Sequence, residues 1–199
     1  DSPDSNFGVA DGRDTMRRYN AFARVEHKGL VVLGLYNRWT HDNPNGAYGS
    51  LYNRPASNQE EHGMFSVAWS RALGRHWTGV FRTGYDHYGY TGTYTYPDEA
   101  GTGEERYQDN SRGQTWTGEA QFSRTVGAHQ ITAGVEHRWN PQQDQFSYLG
   151  NSVLPYWSDE RTSSTTGLYV QDQWRVSPKV LVNGGPRLDH YKAFKDPVK

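Results

Sequence analysis

Apolar and polar side chains alternate one by one along most of this chain, a spacing that fits β-strands and excludes amphipathic helices. In "QITAGVEHR", residues 130–138, Ile131 and Val135 fall on one side of an extended strand, and Thr132 and Glu136 fall on the other. The same alternation recurs along the sequence and predicts an all-β chain of about eight strands. The predicted strands span residues 19–27, 30–39, 63–73, 77–93, 114–126, 130–139, 165–176 and 180–191.

The connections between these strands alternate between short and long. Because consecutive strands of a meander run in opposite directions, all long loops are expected at one end of an antiparallel up-and-down sheet. Loops rich in Asn, Gly, Pro and Asp are typical of ordered surface segments. We expect residues 1–199 to form a single β-barrel segment with no plug domain. The short connections lie at 28–29, 74–76, 127–129 and 177–179, and the long loops at 40–62, 94–113 and 140–164.

Strands that are half apolar, with short turns at one end and long loops at the other, are typical of a transmembrane β-barrel. The mean hydropathy of −0.96 is low for a soluble globule, whereas the aromatic fraction of 14% is high. A soluble lipocalin-like barrel would show the same alternation, but the loop asymmetry and the Trp and Tyr near strand ends favour the membrane. The net charge of −1 argues against a nucleic-acid partner, and the lack of cysteine excludes thiolate sites.

In such a barrel the apolar residues face lipid and the polar alternates face a wet lumen. Many of the polar alternates are charged, and a narrow eight-strand barrel would have to pair nearly all of them in a small space. A wide barrel accommodates them more easily. The residues predicted to face the lumen are Arg82, Asp86, Glu119, Glu136, Arg138, Arg175, Arg187 and Asp189.

Three segments resemble one family, the TonB-dependent outer-membrane receptors. "TTGLYVQDQWRVSPKVLVNGGPRLDHY", residues 165–191, resembles the receptor hairpin in which a Tyr-Val-Gln-Asp-x-Trp run precedes a Gly-x-Arg-x-Asp-x-Tyr strand. "NAFARVEHKGLVVLGLYNRWTHDNPNGAYGSLYNRP", residues 20–55, is similar to an earlier hairpin and the loop that follows it. "YDHYGYTGTYTYP", residues 85–97, is similar to a strand that rises into a Tyr-rich external loop.

The resemblance implies a contiguous piece of a barrel of about 22 strands in the outer membrane of a Gram-negative bacterium, in contact with its lipid. It further implies uptake of a scarce small-molecule chelate, such as an iron–siderophore complex or cobalamin. Energy would come from the TonB complex through a plug domain that is absent here, with no cofactor and no enzymatic activity. The alternative is a small, complete eight-strand outer-membrane protein that acts as an adhesin, a structural protein or a lipid-modifying enzyme.

Aromatic residues of the long loops are the predicted ligand contacts, because they offer rigid contact area at low entropic cost. Aromatic residues closer to strand ends, such as Tyr88, Tyr90 and Trp139, are instead predicted for the girdle at the membrane interface. No metal site is predicted, since neighbours such as Asp86 and His87 point to opposite faces of a strand. The predicted ligand-binding residues are Tyr48, Tyr52, Tyr94, Tyr96, Tyr148, Tyr156 and Trp157.

Overall fold

The computed structural model describes residues 7–9, 11–43 and 46–195, which form one antiparallel sheet of nine strands. The predicted all-β meander is confirmed. Among the described residues no helix is long and apolar enough to cross a membrane. The one described element inside a connection is a short 3₁₀ turn, Ala47–Gly49. The strands are β1 (Met16–His27), β2 (Leu30–Asp42), β3 (Ser57–Leu73), β4 (Trp77–Pro97), β5 (Glu104–Val126), β6 (His129–Leu149), β7 (Trp157–Ser177), β8 (Val180–Gly184) and β9 (Arg187–Lys195).

Strands β1 to β7 pair in chain order, and both β8 and β9 pair with β7. Their register on β7 is continuous, since Asp172 lies opposite Gly184 and Tyr169 lies opposite Arg187. Pro186 therefore interrupts one long strand without shifting it, and its carbonyl still accepts a hydrogen bond from the Val170 N–H at 3.1 Å. In the described part of the chain β1 has a partner on one side only, as does the β8–β9 strand, so the sheet is open.

The strands are longer than the hydropathy alternation predicts. β4 continues to Pro97, β5 begins at Glu104 and β6 continues to Leu149, through residues that the sequence had assigned to long loops. The predicted loop bounds 40–62, 94–113 and 140–164 are therefore too wide. Polar residues occupy both faces of the sheet at this end, so the ladder of backbone hydrogen bonds continues after the hydropathy signal has ended. The connections at this end are 43–56, 98–103 and 150–156.

Tight turns join the strands at the opposite end, which we call the short-turn end. Lys28 and Gly29 have φ angles of 48° and 81°, the left-handed pair that a two-residue type I′ hairpin turn requires. A Cβ at Gly29 would lie 2.3 Å from the carbonyl oxygen of Ser70 on the neighbouring strand, so glycine is required there for space as well.

The register divides the side chains into two faces. Face A carries Trp77, Phe81 and Tyr85 of β4 and the residues paired with them across the sheet, and face B carries the alternate set, including Arg82 and Asp86. The apolar run of β2, within "GLVVLGLY" at residues 29–36, has no alternation that fixes its facing, and it contributes to both faces. Val32 lies opposite Val67 on face A, and Leu33 lies opposite Ser66 on face B.

Large apolar side chains of face A are exposed rather than packed in a core. Trp116, Trp139 and Leu168 are 47%, 50% and 55% exposed. Among the described residues only Ala56 and Tyr94 are buried hydrophobics. A chain this rich in exposed apolar surface needs an apolar surrounding to cover it, and lipid provides one.

Candidate functional site

A hydrogen-bonded network of charged residues crosses the middle of face B. Arg82 Nη1 on β4 donates to Glu119 Oε2 on β5 at 2.5 Å, and the Tyr169 hydroxyl on β7 donates to the other oxygen of Glu119 at 2.6 Å. The Glu119 carboxylate is three-quarters or more shielded from solvent, so these two donors supply partners that water would otherwise provide. Three strands are thereby joined by one carboxylate.

Tyr169 reaches Glu119 by lying across the strand between them. It is paired with Gly134 of β6, and a Cβ at Gly134 would meet the Tyr169 ring and hydroxyl at 2.4 Å. Arg187 of β9 continues the network, with its guanidinium carbon 5.9 Å from the Tyr169 ring centroid. Arg187 donates to Glu136 at 3.1 Å and pairs with Asp189 at 2.8 Å. Because Gly134 has no side chain, the Tyr169 ring has room to cross β6 and reach Glu119.

The register places every residue of the predicted lumen set on face B. Five of the set join the network just described, and Asp86 lies apart from it, 2.7 Å from His62 Nε2. Arg138 and Arg175 share the face without joining either group. That face B lines a lumen stays a prediction. The network members of the set are Arg82, Glu119, Glu136, Arg187 and Asp189.

Above this network, toward the long connections, face B becomes a surface of tyrosines. Tyr94 is 3% exposed, and its ring meets the Tyr48 ring edge-on at a centroid distance of 5.4 Å. Its hydroxyl donates to Asn58 Oδ1 at 2.8 Å and lies 2.8 Å from the Tyr90 hydroxyl. Tyr94 is therefore a buried support that holds Tyr48, which is itself exposed.

The same surface continues across β5 to the connection before β7. Tyr96 lies 6.5 Å from Tyr94 and 5.1 Å from Tyr107, and Tyr107 lies 6.2 Å from Tyr156, all as ring-centroid distances. We call these four residues, together with Tyr48 and Tyr90, the tyrosine cluster. It consists of Tyr48, Tyr90, Tyr94, Tyr96, Tyr107 and Tyr156.

Burial raises the pKa of the Tyr94 hydroxyl and of the Tyr96 hydroxyl above their usual range. Both residues lie at the end of β4 beyond the apolar band of face A. Their phenols therefore remain protonated at neutral pH. Each proton is donated within the protein, from Tyr94 to Asn58 and from Tyr96 to the Tyr48 carbonyl at 3.3 Å.

Of the predicted ligand-binding residues, the structure brings Tyr48, Tyr94, Tyr96 and Tyr156 together. Trp157 also lies on face B, opposite Ser147, and is exposed.

Two other predicted ligand contacts lie apart from this cluster. Tyr148 lies opposite Gln108 on face A, where its ring is 6.5 Å from that of Phe146. The Tyr52 hydroxyl donates to the carbonyl of Gly8 at 2.6 Å.

The predicted ligand-binding set leaves out Tyr107, and Tyr90 was assigned to the girdle instead. Tyr88 and Tyr90 lie on face B with the charged residues, whereas Trp139 lies on face A as a girdle residue would. The signal was present in "YTGTYTY", residues 90–96, where Tyr and Thr alternate as they do in a strand. Reading residues 94–96 as a loop hid the fact that Tyr94 and Tyr96 share one face with Tyr90.

Metal ligands are not grouped on this surface. Among the described residues no three His, Asp or Glu side chains come close enough together to hold an ion. Asp86 faces His62 on face B, while His87 lies on the other face, 3.8 Å from Glu61.

On face A, the apolar residues of β4 run from Trp77 to Tyr85, which matches the roughly 9–11 residues of a membrane-spanning strand. Aromatic rows bound this band, with Tyr85 and Trp116 at 4.6 Å on one side and Trp77 on the other. An open antiparallel meander with such a band on one face and charges on the other is a wall of a transmembrane β-barrel.

A family model described as "TonB dependent receptor-like, beta-barrel" matches residues 3–198. The chain belongs to this family, which confirms the family predicted from the 165–191 hairpin. Proteins of the family are outer-membrane transporters and not enzymes, so the match favours the receptor over the small eight-strand alternative. Comparison with curated proteins and with solved structures returned no match.

Proposed function

We propose that residues 1–199 form part of the barrel wall of a receptor that takes up a scarce chelated nutrient, such as an iron–siderophore complex or cobalamin, across the outer membrane of a Gram-negative bacterium. The observation that carries this proposal is the division of each long strand into two zones. The apolar band of face A has the height of a bilayer, and the tyrosine cluster lies beyond it on the opposite face.

In this arrangement face A contacts lipid and face B faces the lumen. The long connections lie outside the cell, because barrels of this class carry short turns on the periplasmic side. The Arg82–Glu119–Tyr169–Arg187 network lies at bilayer depth and contacts the water of the lumen and a plug domain contributed by chain beyond this segment. The open edges at β1 and at the β8–β9 strand support this, since a barrel in lipid leaves no strand unpaired.

The exposed aromatic residues on this part of face B contact the ligand. Tyr48, Tyr156 and Trp157 are exposed, whereas Tyr94 is buried and supports Tyr48 from beneath. Rigid aromatic faces with phenol donors suit a chelate that is part apolar and part oxygen-rich. TonB supplies energy through the plug.

Uptake by cells tests the proposal. The gene is deleted and restored in its own host, and uptake of labelled iron–siderophore complexes and of labelled cobalamin is measured with and without TonB. We expect uptake of one class to require both the gene and TonB. An immunoblot of outer membranes then gives the mass of the whole polypeptide, which we expect to exceed 22.7 kDa several-fold.

Paired variants test the role of the aromatic surface. Tyr156→Ala combined with Trp157→Ala is expected to raise the Kd for the ligand by at least about tenfold, because aromatic residues dominate the energetics of such contacts. Tyr148→Ala is the matched control, since it removes a tyrosine at a similar height on face A. Equal losses in both would show that the ligand does not bind to the tyrosine cluster.

A further inference from the structure

Face A ends toward the short turns in a row of arginine and tryptophan side chains. The guanidinium carbon of Arg71 lies 5.9 Å from the Trp69 ring centroid, and that of Arg124 lies 5.6 Å from the Trp77 ring centroid. Trp174 of β7 lies in the same border of the sheet, stacked on His129 at 5.5 Å. We call this row the belt. It consists of Trp69, Arg71, Trp77, Arg124 and Trp174.

The register puts the two arginines of the belt at the border of the apolar band. Arg124 is directly opposite Trp77, and Arg71 is opposite Gly79, one row further into the sheet. Arg124 therefore breaks the apolar alternation of β5 at the level where an indole marks the interface between hydrocarbon and headgroups.

The charges of these two arginines are not compensated by the protein. Within the described residues neither Arg71 nor Arg124 has a carboxylate at salt-bridge distance, whereas Arg82 and Arg187 on face B both do. Asp172, a carboxylate on face A near this border, is instead directed at His129 Nδ1 at 2.7 Å. An arginine held over an indole is fixed in place while its N–H groups remain free to bind a phosphate in bidentate fashion.

The whole short-turn end is basic. The four turns, with the three strand residues on each side of them, contain six cations and one carboxylate, Glu26. Three of these cations, Lys28, Arg75 and Lys179, lie in the turns themselves. The six cations are Lys28, Arg71, Arg75, Arg124, Arg175 and Lys179.

We propose that the belt binds the headgroups of anionic phospholipids, of the phosphatidylglycerol type, in the leaflet at the short-turn end. The indoles lie at the hydrocarbon border, the guanidinium groups lie at the level of the lipid phosphates, and the basic turns attract an anionic surface. The proposal rests on the orientation given under the proposed function. Net charge selects the lipid class, because a zwitterionic headgroup gains little from unpaired cations.

Competition between two lipids tests the proposal. The receptor polypeptide as the cell makes it is purified in a neutral detergent and mixed with equal amounts of phosphatidylglycerol and phosphatidylethanolamine that carry the same acyl chains. Native mass spectrometry counts the lipids of each class that stay bound. We expect phosphatidylglycerol to be retained in preference, and the preference to fall as salt rises. Equal retention of the two lipids by the unaltered protein would overturn the proposal.

Variants then locate the preference. Arg71→Gln and Arg124→Gln are each expected to weaken phosphatidylglycerol binding about fivefold, which corresponds to about 1 kcal/mol per arginine, and to leave phosphatidylethanolamine unchanged. Arg175→Gln is the matched control, since it removes a cation at the same end of the sheet on face B. If Arg175→Gln weakened phosphatidylglycerol binding as much as the belt variants do, the lipid would not be bound at the belt.

Two further measurements separate possible failures. The variant with lysine at both positions keeps the charges but not the bidentate guanidinium groups, so it should keep part of the preference. Complete loss of the preference at unchanged stability would contradict selection by charge. Nutrient uptake is measured with the same cells. Intact TonB-dependent uptake without any phosphatidylglycerol preference would contradict the belt alone, whereas lipid preference without uptake would contradict the proposed function alone.

Discussion

The two halves of β4 present their aromatic side chains on opposite faces. Toward the short turns Trp77 and Phe81 lie on face A, and beyond the apolar band Tyr94 and Tyr96 lie on face B. The backbone pairing is the same in both halves, with a continuous register against β5 from Trp77 to Pro97. What changes is the character of face A. Face A of the lower half carries large exposed apolar side chains, which the proposed function assigns to lipid. Face A of the upper half carries threonines, of which Thr93 and Thr95 are buried, and the Thr95 hydroxyl donates to the Pro55 carbonyl.

If face A of the lower half contacts lipid, the direction of the apolar side chains depends on the surroundings and not on the strand. In the lower half the polar groups turn toward each other on face B, where Glu119 joins three strands. In the upper half the aromatic rings turn inward and pack on one another, and threonines such as Thr91 and Thr93 occupy face A. The following predictions test that comparison, from the largest expected effect to the smallest.

The largest effect is expected from a charge placed in the apolar band. Ala120 lies on face A between Phe81 and Val135, and Ala120→Arg should lower the free energy of unfolding by about 2–4 kcal/mol, the cost of arginine near the bilayer midplane. Gln121→Arg, on face B of the same strand, should cost less than about 1 kcal/mol. Guanidinium titration of the receptor in lipid vesicles, followed by tryptophan fluorescence, measures both. A similar cost in the two variants would show that face A does not contact lipid.

A methyl group at Gly134 should disrupt the network of face B. Gly134→Ala places a Cβ 2.4 Å from the Tyr169 ring, so the ring must move and its hydrogen bond to Glu119 is lost. We expect a loss of about 1–3 kcal/mol in the same titration. Gly118→Ala is the control, because a Cβ there has no neighbour within 4 Å. In a Tyr169→Ala background the Gly134 change should become nearly neutral, and a full effect there would contradict the explanation.

Removing one hydroxyl from the tyrosine cluster should cost about 1 kcal/mol. Tyr94→Phe deletes the hydrogen bond to Asn58 and leaves that half-buried acceptor with only the longer bond from the Tyr90 hydroxyl, at 3.4 Å. Tyr148→Phe, which removes a hydroxyl at a similar height on face A, should change stability by less than half as much. Equal losses of stability in the two variants would show that a tyrosine hydroxyl on face B is no more stabilising than one on face A.

The smallest effect is expected at the turn between β4 and β5. The backbone N–H of Gly103 first, and those of Thr102 and Gly101 next, hold the pKa of Asp98 below its usual range by hydrogen bonding to the carboxylate. A lowered pKa in the folded state means that the stabilisation is present at neutral pH. It is lost below about pH 4 as the carboxyl takes up a proton.

Amide hydrogen exchange measures this local effect. Exchange at Thr102 should accelerate as the pH falls through that range, after correction for the intrinsic exchange rate, and Asp98→Asn should remove the pH dependence. The amides of the apolar band serve as the internal control and should show no such change. If the pH dependence of exchange at Thr102 persisted in Asp98→Asn, another titrating group would be its cause.

The local pattern of the sequence predicted much of the lower half. Alternation with period two depends only on neighbouring residues, and it identified the strands of the apolar band and placed the charged set on one face. It failed for the upper half, where tyrosines and threonines alternate in place of clearly apolar and polar residues, so that hydropathy no longer marks the strand. Tyr107 was left out of the ligand set for that reason, and Tyr148 was included although it lies on face A.

By itself, then, the amino-acid sequence determined the strand type, the order of the meander, the division into two faces and the family. The tertiary structure decided which side chains meet across strands. A contact such as Tyr169 to Glu119 over Gly134 depends on the pairing of three strands, and one shift of register would move each side chain to the other face. Register is a property of partners distant in sequence, so only the assembled sheet specifies the network, the tyrosine cluster and the belt.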